Sequence, residues 1–148
     1  MENNKNGLQV SRQHDENIFR EGEAIFSQDD LRELINYTYA EYQYKGSQLD
    51  KLVKFMDYLS QESHRFITPE LTNEAKRLGA WLDSFLEFFK NNFHPGKPDD
   101  EGDMVYVFQT LQNSSEVESF LTELQMVAVD VEKAYRNYRA VVKSKLQI

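Results

Sequence analysis

The side chains with the best capacity for chemistry in this sequence are its three histidines, because it contains no cysteine. They are His14, His64 and His94, and they stand far apart in the chain. A metal site needs several ligands on neighbouring elements, and a di-iron bundle needs Glu-x-x-His motifs. The sequence has no such motif, since Gln61 stands at that spacing before His64. We therefore predict no metal ion and no other cofactor.

The acidic segment PDDEGDM, residues 98–104, is the second group of candidate ligands. It lacks the alternating oxygen ligands of a calcium loop, so we interpret it as a solvated loop in which Asp103 caps the next element. The sequence also lacks a glycine-rich phosphate loop, and no serine or threonine has a base at a suggestive local spacing. These absences predict no catalytic residue and favour a protein that is not an enzyme.

Capping signals predict two helices ahead of the third. The first begins after Ser27, has Asp30 at the capping-box position and ends at Gly46. The second begins at Ser47 and continues to Phe66. Because the turn between them is so short, we expect the two helices to be antiparallel.

The third helix has the clearest pattern. Thr68 is its predicted cap, and Pro69 stands at the first helical position, where its missing N–H costs nothing. Its apolar positions recur at spacings of three and four: Leu71, Ala75, Leu78, Leu82, Phe85 and Phe89. Residues 94–103 then predict a loop, because their prolines and glycines do not continue a helix.

Residues 104–112, MVYVFQTLQ, fit two patterns. Their β-branched and aromatic residues favour a strand, whereas their apolar spacing also fits a helical stripe. No second strand is evident, so we predict a short helix. Ser114 or Ser115 then caps a long last helix that continues nearly to the end of the chain.

These elements predict an all-α fold: an antiparallel up-and-down four-helix bundle with an additional short helix before the last long helix. Residues 1–17 are polar and rich in asparagine, so we expect a disordered N-terminal tail. Residues 18–148 are expected to form a single helical-bundle domain.

Half of the eight tyrosines lie between Tyr37 and Tyr44. On a helical wheel Tyr39 and Tyr42 lie beside the core positions, whereas Tyr37 and Tyr44 are seven residues apart on another face. Tyr37 and Tyr44 therefore either cover a neighbouring element or form a contact surface. We expect this pair to be at the surface.

Helix three repeats the seven-residue spacing with Trp81 and Phe88, which lie to one side of its apolar seam. They either widen the stripe toward a second helix or form an exposed aromatic strip where another protein docks. We expect this second pair to be mostly core. The candidate partner surface is thus Tyr37, Tyr44, Trp81 and Phe88.

Charge is unevenly distributed in a chain whose formal net charge is −8. The cations that follow the last acidic residue are Lys133, Arg136, Arg139, Lys143 and Lys145. An acidic body repels phosphate, so we predict no nucleic-acid binding and expect a protein partner, either a basic one or a second copy of the chain.

Apolar patterning argues against membrane insertion. No stretch approaches the ~18 apolar residues that a membrane helix needs, and the first ten residues lack the pattern of a secretion signal. The absence of cysteine fits a reducing compartment. The sequence therefore predicts a cytoplasmic protein.

The function that these observations favour is that of a non-catalytic protein-binding module, such as a small regulatory, adaptor, chaperone-like or inhibitor protein. It would act through an exposed aromatic or acidic surface. The alternative is an enzyme or small-ligand binder whose polar residues converge inside the bundle. An apolar interior favours the first hypothesis, and buried polar groups favour the second.

Overall fold

The computed structural model describes residues 2–108 and 114–148, with the backbone alone for residues 2–6. The described chain is mostly helical. Its helices are α1 (Glu2–Ile25), α2 (Gln28–Glu41), α3 (Gly46–Ser60), a 3-10 turn (Glu62–His64), α4 (Pro69–Asn92) and α5 (Ser114–Leu146). Its strands are β1 (Gln43–Lys45), β2 (Phe93–Pro98) and β3 (Met104–Phe108).

The three strands form an antiparallel sheet in the order β1-β3-β2. The prediction of an all-α bundle is therefore wrong, and so is the prediction of a helix over residues 104–112, because residues 104–108 are a strand. Residues 109–112 of that predicted helix lie outside the described part of the chain. The loop predicted over residues 94–103 begins instead with strand β2.

Strand β3 pairs with β1 and β2, and the sequence patterns did not predict either strand. Strand β2 contains Pro95 and Pro98, which is compatible with its position at the edge of the sheet. Its register shifts between these prolines, and there Gly96 approaches β3 so closely that a Cβ would lie 3.1 Å from the Val105 carbonyl oxygen. The first part of the predicted loop is thus an edge strand whose prolines and glycine are compatible with that position.

The tyrosine segment changes from helix to strand before Gly46. Tyr42 has a left-handed backbone (φ 53°) that ends α2, and its carbonyl oxygen accepts a hydrogen bond from Phe108 N at 3.0 Å. Residues 43–45 then pair with β3, so Tyr44 is on a strand and not on the helical wheel used to place it. Pairing with a distant strand has overridden the local helical pattern here.

Helices α1 and α2 together extend along α5 and are antiparallel to it. Arg12 of α1 contacts the Leu146 carbonyl oxygen near the end of α5, whereas Tyr42 at the end of α2 packs on Phe120 near its beginning. At the junction, Ser27 and Asp30 form the predicted capping box, with hydrogen bonds of 3.1 and 2.9 Å. That prediction is confirmed.

Residues 2–17, expected as a disordered tail, lie in helix α1 in the structure. Asp15 is fully buried, and Ile18 and Phe19 in the next turn are core residues. The side chains that anchor this segment are polar: Arg12, His14 and Asp15. The boundary between tail and domain at residue 17 stays a prediction about the protein in solution.

Asp15 caps helix α4 from another helix. Its carboxylate accepts hydrogen bonds from Ile67 N at 2.7 Å, Thr68 N at 3.1 Å and Thr68 Oγ1 at 2.7 Å. Thr68 and Pro69 are the N-cap and first residue of α4, as predicted, but the Thr68 side chain does not cap its own helix. The buried carboxylate therefore satisfies the donors at the start of α4 and lies where the helix dipole favours an anion.

Buried tyrosines differ in how their hydroxyl groups are satisfied. The Tyr135 hydroxyl donates to the Phe26 carbonyl oxygen at 2.6 Å, whereas the Tyr138 hydroxyl has no hydrogen-bond partner among the described residues. Burial raises the pKa of both phenols well above the usual value. Both side chains therefore stay neutral, and only one of them has a compensated polar atom.

We expect Asp15→Ala to lower the free energy of unfolding by about 2–4 kcal/mol, because it leaves charge-assisted donors at the start of α4 without their acceptor. Urea denaturation measures this change. Glu16→Gln is the matched control, since it removes only the exposed ion pair with Arg20 and costs less than about 1 kcal/mol. Equal effects of the two substitutions would contradict the capping role of Asp15.

We expect Tyr138→Phe to leave the unfolding free energy unchanged or to raise it by roughly 1 kcal/mol, since it removes a buried hydroxyl without a partner. Tyr135→Phe loses a hydrogen bond and is expected to cost about 1–2 kcal/mol. Thermal and urea unfolding of the two variants measure the difference. A larger loss for Tyr138→Phe than for Tyr135→Phe would show that the Tyr138 hydroxyl has a partner.

Candidate functional site

A groove of about 570 Å³ separates helices α3 and α4. Its apolar lining is Met56 and Leu59 from α3, Phe66 from the connection, and Ala75, Gly79 and Leu82 from α4. Leu82 and Phe66 are buried residues of the hydrophobic core, whereas Met56, Leu59 and Ala75 are partly exposed. Small residues on α4 face long ones on α3, which leaves space between the two helices.

Charged residues of both signs also line the groove. They are Asp57 on α3, Arg65 in the connection, and Lys76 and Asp83 on α4, and all four are exposed. None of these four side chains takes part in an ion pair within the described chain. The groove therefore combines an apolar surface with charges that are free to bind a ligand.

One end of the groove is the connection from α3 to α4, which two consecutive residues of α1 hold in place. His14 Nε2 lies 3.0 Å from the Arg65 carbonyl oxygen, and Asp15 binds the next residues, Ile67 and Thr68. Arg65 lines the groove directly. Helix α1 thus fixes the shape of a site that it does not line.

His64 lines the same end and packs on Tyr58 of α3. Their ring centroids are 3.8 Å apart, and His64 Nδ1 lies 2.8 Å from the Tyr58 carbonyl oxygen. The Tyr58 hydroxyl donates to Glu21 at 2.5 Å, and burial together with this hydrogen bond raises the pKa of Tyr58 above its usual value. These contacts fix His64 as part of the wall.

Close packing does not explain why α4 has a glycine at position 79. A glycine inside a helix costs stability relative to alanine, and it is usually explained by a close neighbour. A Cβ built at Gly79 would meet no atom within 4 Å. The missing side chain therefore widens the groove and serves no close contact within the described protein.

The three histidines do not form a metal site. His14 and His64 each contact a backbone carbonyl oxygen near the connection, whereas His94 is exposed on β2. Within residues 2–108 and 114–148, no group of three His, Asp or Glu side chains is arranged to hold a metal ion. Asp103, predicted to cap the element after it, instead accepts hydrogen bonds from Ser47 N and Oγ at the start of α3.

The four residues of the predicted partner surface are not brought together. Tyr44 and Phe88 are buried, and Tyr44 stacks on Tyr106 with ring centroids 4.9 Å apart. Burial and the neighbouring Tyr106 raise the pKa of Tyr44 to about 12. Tyr37 is half-buried and accepts a hydrogen bond from Gln43 Nε2 at 3.0 Å. Trp81 is exposed. The first pair was expected at the surface, but Tyr44 is buried. The second pair was expected mostly in the core, but Trp81 is not.

Tyr39 also differs from its predicted position. It was placed beside the core, but 47% of its surface is exposed, while Tyr42 is partly buried against Phe120. The left-handed backbone at Tyr42 ends α2, so Tyr42 does not lie on the helix on which both positions were compared. Tyr39 does lie within α2, but the buried face of this helix is formed by Leu31, Leu34, Ile35 and Thr38 and does not include it.

The basic end of α5 is partly neutralised. Arg139 pairs with Glu23 of α1, and Lys145 lies 2.9 Å from Glu70 of α4. Both cations therefore link α5 to neighbouring helices. These two cations of the basic segment therefore stabilise contacts between helices.

No described helix has both the length and the apolar composition to cross a membrane. The sequence matches no protein-family model, no curated protein and no solved structure.

We expect Gly79→Ala to raise the free energy of unfolding by about 0.5–1 kcal/mol, because it improves the helix without a clash. Gly22→Ala is the matched control in α1, since its Cβ would lie 3.0 Å from the fully buried Phe55 ring. We expect no gain in stability there. A loss of stability in Gly79→Ala, measured by urea denaturation, would reveal a close contact at Gly79.

Proposed function

We propose that this protein is a non-catalytic protein-binding module and that the groove between α3 and α4 binds an amphipathic helix of another protein. The observation that carries the proposal is the open apolar groove itself, widened by Gly79 and lined by unpaired charges. Helix-in-groove recognition uses this combination of an apolar channel and polar margins.

The dimensions of the groove suit a short helix. Its α4 wall extends from Thr72 to Asp83, which corresponds to roughly 16 Å at 1.5 Å per residue, or about three helical turns. The opposite wall is the last part of α3, so the bound element would lie between two helices. A helix is the element whose side-chain ridges fit such a channel.

Charge complementarity also favours a protein helix over a small apolar ligand. Asp57 and Asp83 attract cations, whereas Arg65 and Lys76 attract anions. A helix with apolar residues on one face and both signs of charge beside them satisfies all four side chains. We expect the apolar residues of the partner at positions i, i+3 or i+4, and i+7.

The interior gives little support to the alternative of an enzyme or a ligand binder inside the bundle. Asp15 and Thr38 are the buried polar residues among those described, apart from tyrosines, and both are satisfied within the protein. Asp15 caps α4, and Thr38 Oγ1 donates to the Leu34 carbonyl oxygen at 2.7 Å. Neither side chain is available for a substrate.

Two further assignments belong to the same proposal. We assign the protein to the cytoplasm, because the cysteine-free sequence fits a reducing compartment. We assign it no role in nucleic-acid binding, because the net charge of −8 opposes approach to phosphate.

A phage library of three-turn helical peptides tests the proposal. We expect selected peptides to share an amphipathic pattern, to bind the wild-type protein, and to lose at least about tenfold in affinity for Gly79→Leu. The leucine side chain would occupy the groove, and its Cβ would meet no atom within 4 Å. Isothermal titration calorimetry measures the affinities.

Ser84→Leu is the matched control, because Ser84 is exposed on the same helix but does not line the groove. It should bind the selected peptides like the wild type. Circular dichroism verifies that both variants keep their helical content. Peptides that lack an amphipathic pattern, or that bind Gly79→Leu unchanged, would refute the groove as a helix-binding site.

A further inference from the structure

The other side of α4 carries the exposed Trp81, the single tryptophan of the chain. Its side chain is 45% exposed, although tryptophan is usually well buried. Trp81 lines one side of a hollow of about 260 Å³ between α4 and α5, to which Ala134, Ala140 and Val141 contribute from α5. An exposed indole and a hollow with small residues thus share one face.

This arrangement is self-complementary in shape. In a two-fold dimer the same surface of each copy meets the other, so a residue that projects from one copy enters the hollow of its partner, and the reverse contact forms at the same time. A partner of a different kind would need both a matching hollow and a matching projection. A second copy of this chain already has both.

The charges of this face are self-complementary as well. Glu74 and Arg77 border the hollow and are 2.7 Å apart. An anion and a cation lie side by side on α4, so antiparallel contact of two such helices places Glu74 of each copy near Arg77 of the other. The local contact is therefore attractive, although each molecule carries a net charge of −8.

From these observations we propose that the α4/α5 face is a homodimer interface in which Trp81 of each copy occupies the hollow of the other. The interface is independent of the groove, which lies between α3 and α4. Trp81 is the central contact, since buried tryptophans are among the residues that contribute most to interface affinity.

Fluorescence and sedimentation test this interface directly. Because Trp81 is the single tryptophan, its emission reports on this site alone. We expect the emission to shift to shorter wavelength as protein concentration rises, over the range in which sedimentation velocity shows monomers becoming dimers.

Two variants distinguish this interface from another mode of association. Trp81→Ala should weaken dimerisation roughly thirtyfold or more, as expected for a central interface residue. Ala140→Arg fills the hollow, reduces the net negative charge and keeps Trp81, so it should abolish the emission shift. Circular dichroism checks that both variants remain folded.

Tyr39→Ala is the control, because Tyr39 is an equally exposed aromatic residue on a different helix. It should dimerise like the wild type, and so should Gly79→Leu. A protein that stays monomeric up to high concentration, or dimers that persist in Trp81→Ala and Ala140→Arg, would overturn the proposal. Neither result would bear on peptide binding in the groove.

Discussion

The buried carboxylate of Asp15 is the interaction on which the arrangement of the helices most depends. It joins α1 to the start of α4 and holds the residues that connect α4 to α3. A charged group without compensation is unstable in a protein interior, so the carboxylate and its donors must be brought together as the chain folds. The start of α4 and the connection that forms one end of the groove therefore depend on a contact with the N-terminal helix.

The sequence predicted those elements that depend on neighbouring residues. The capping box at Ser27 and the Thr68–Pro69 start of α4 are local signals, and the structure has both. The sheet was missed because its central strand pairs with residues far away in the chain, such as Gln43 with Val107. No periodicity within residues 43–45 or 93–98 indicates such pairing.

The candidate site was less predictable than the fold, because it consists of space between elements. Trp81 was singled out from its type and spacing, but it was expected to lie mostly in the core and it is exposed. Gly79 was missed, although a glycine inside a strong helical pattern is itself a signal that packing or binding has a requirement at that position. The anchoring of α1 was also missed, since Asp15 reads as one polar residue among many until its partners are known.

The two prolines of β2 have a consequence for the behaviour of the protein at high concentration. An exposed edge strand can recruit strands of other molecules and begin the growth of fibrils. Pro95 and Pro98 have no N–H to donate, and the opposite edge, β1, is only 3 residues long before α3 begins. Both edge strands of this small sheet are therefore poor templates for aggregation. The sheet is the one region of extended chain within the described residues, and its edges limit the risk that it recruits other molecules.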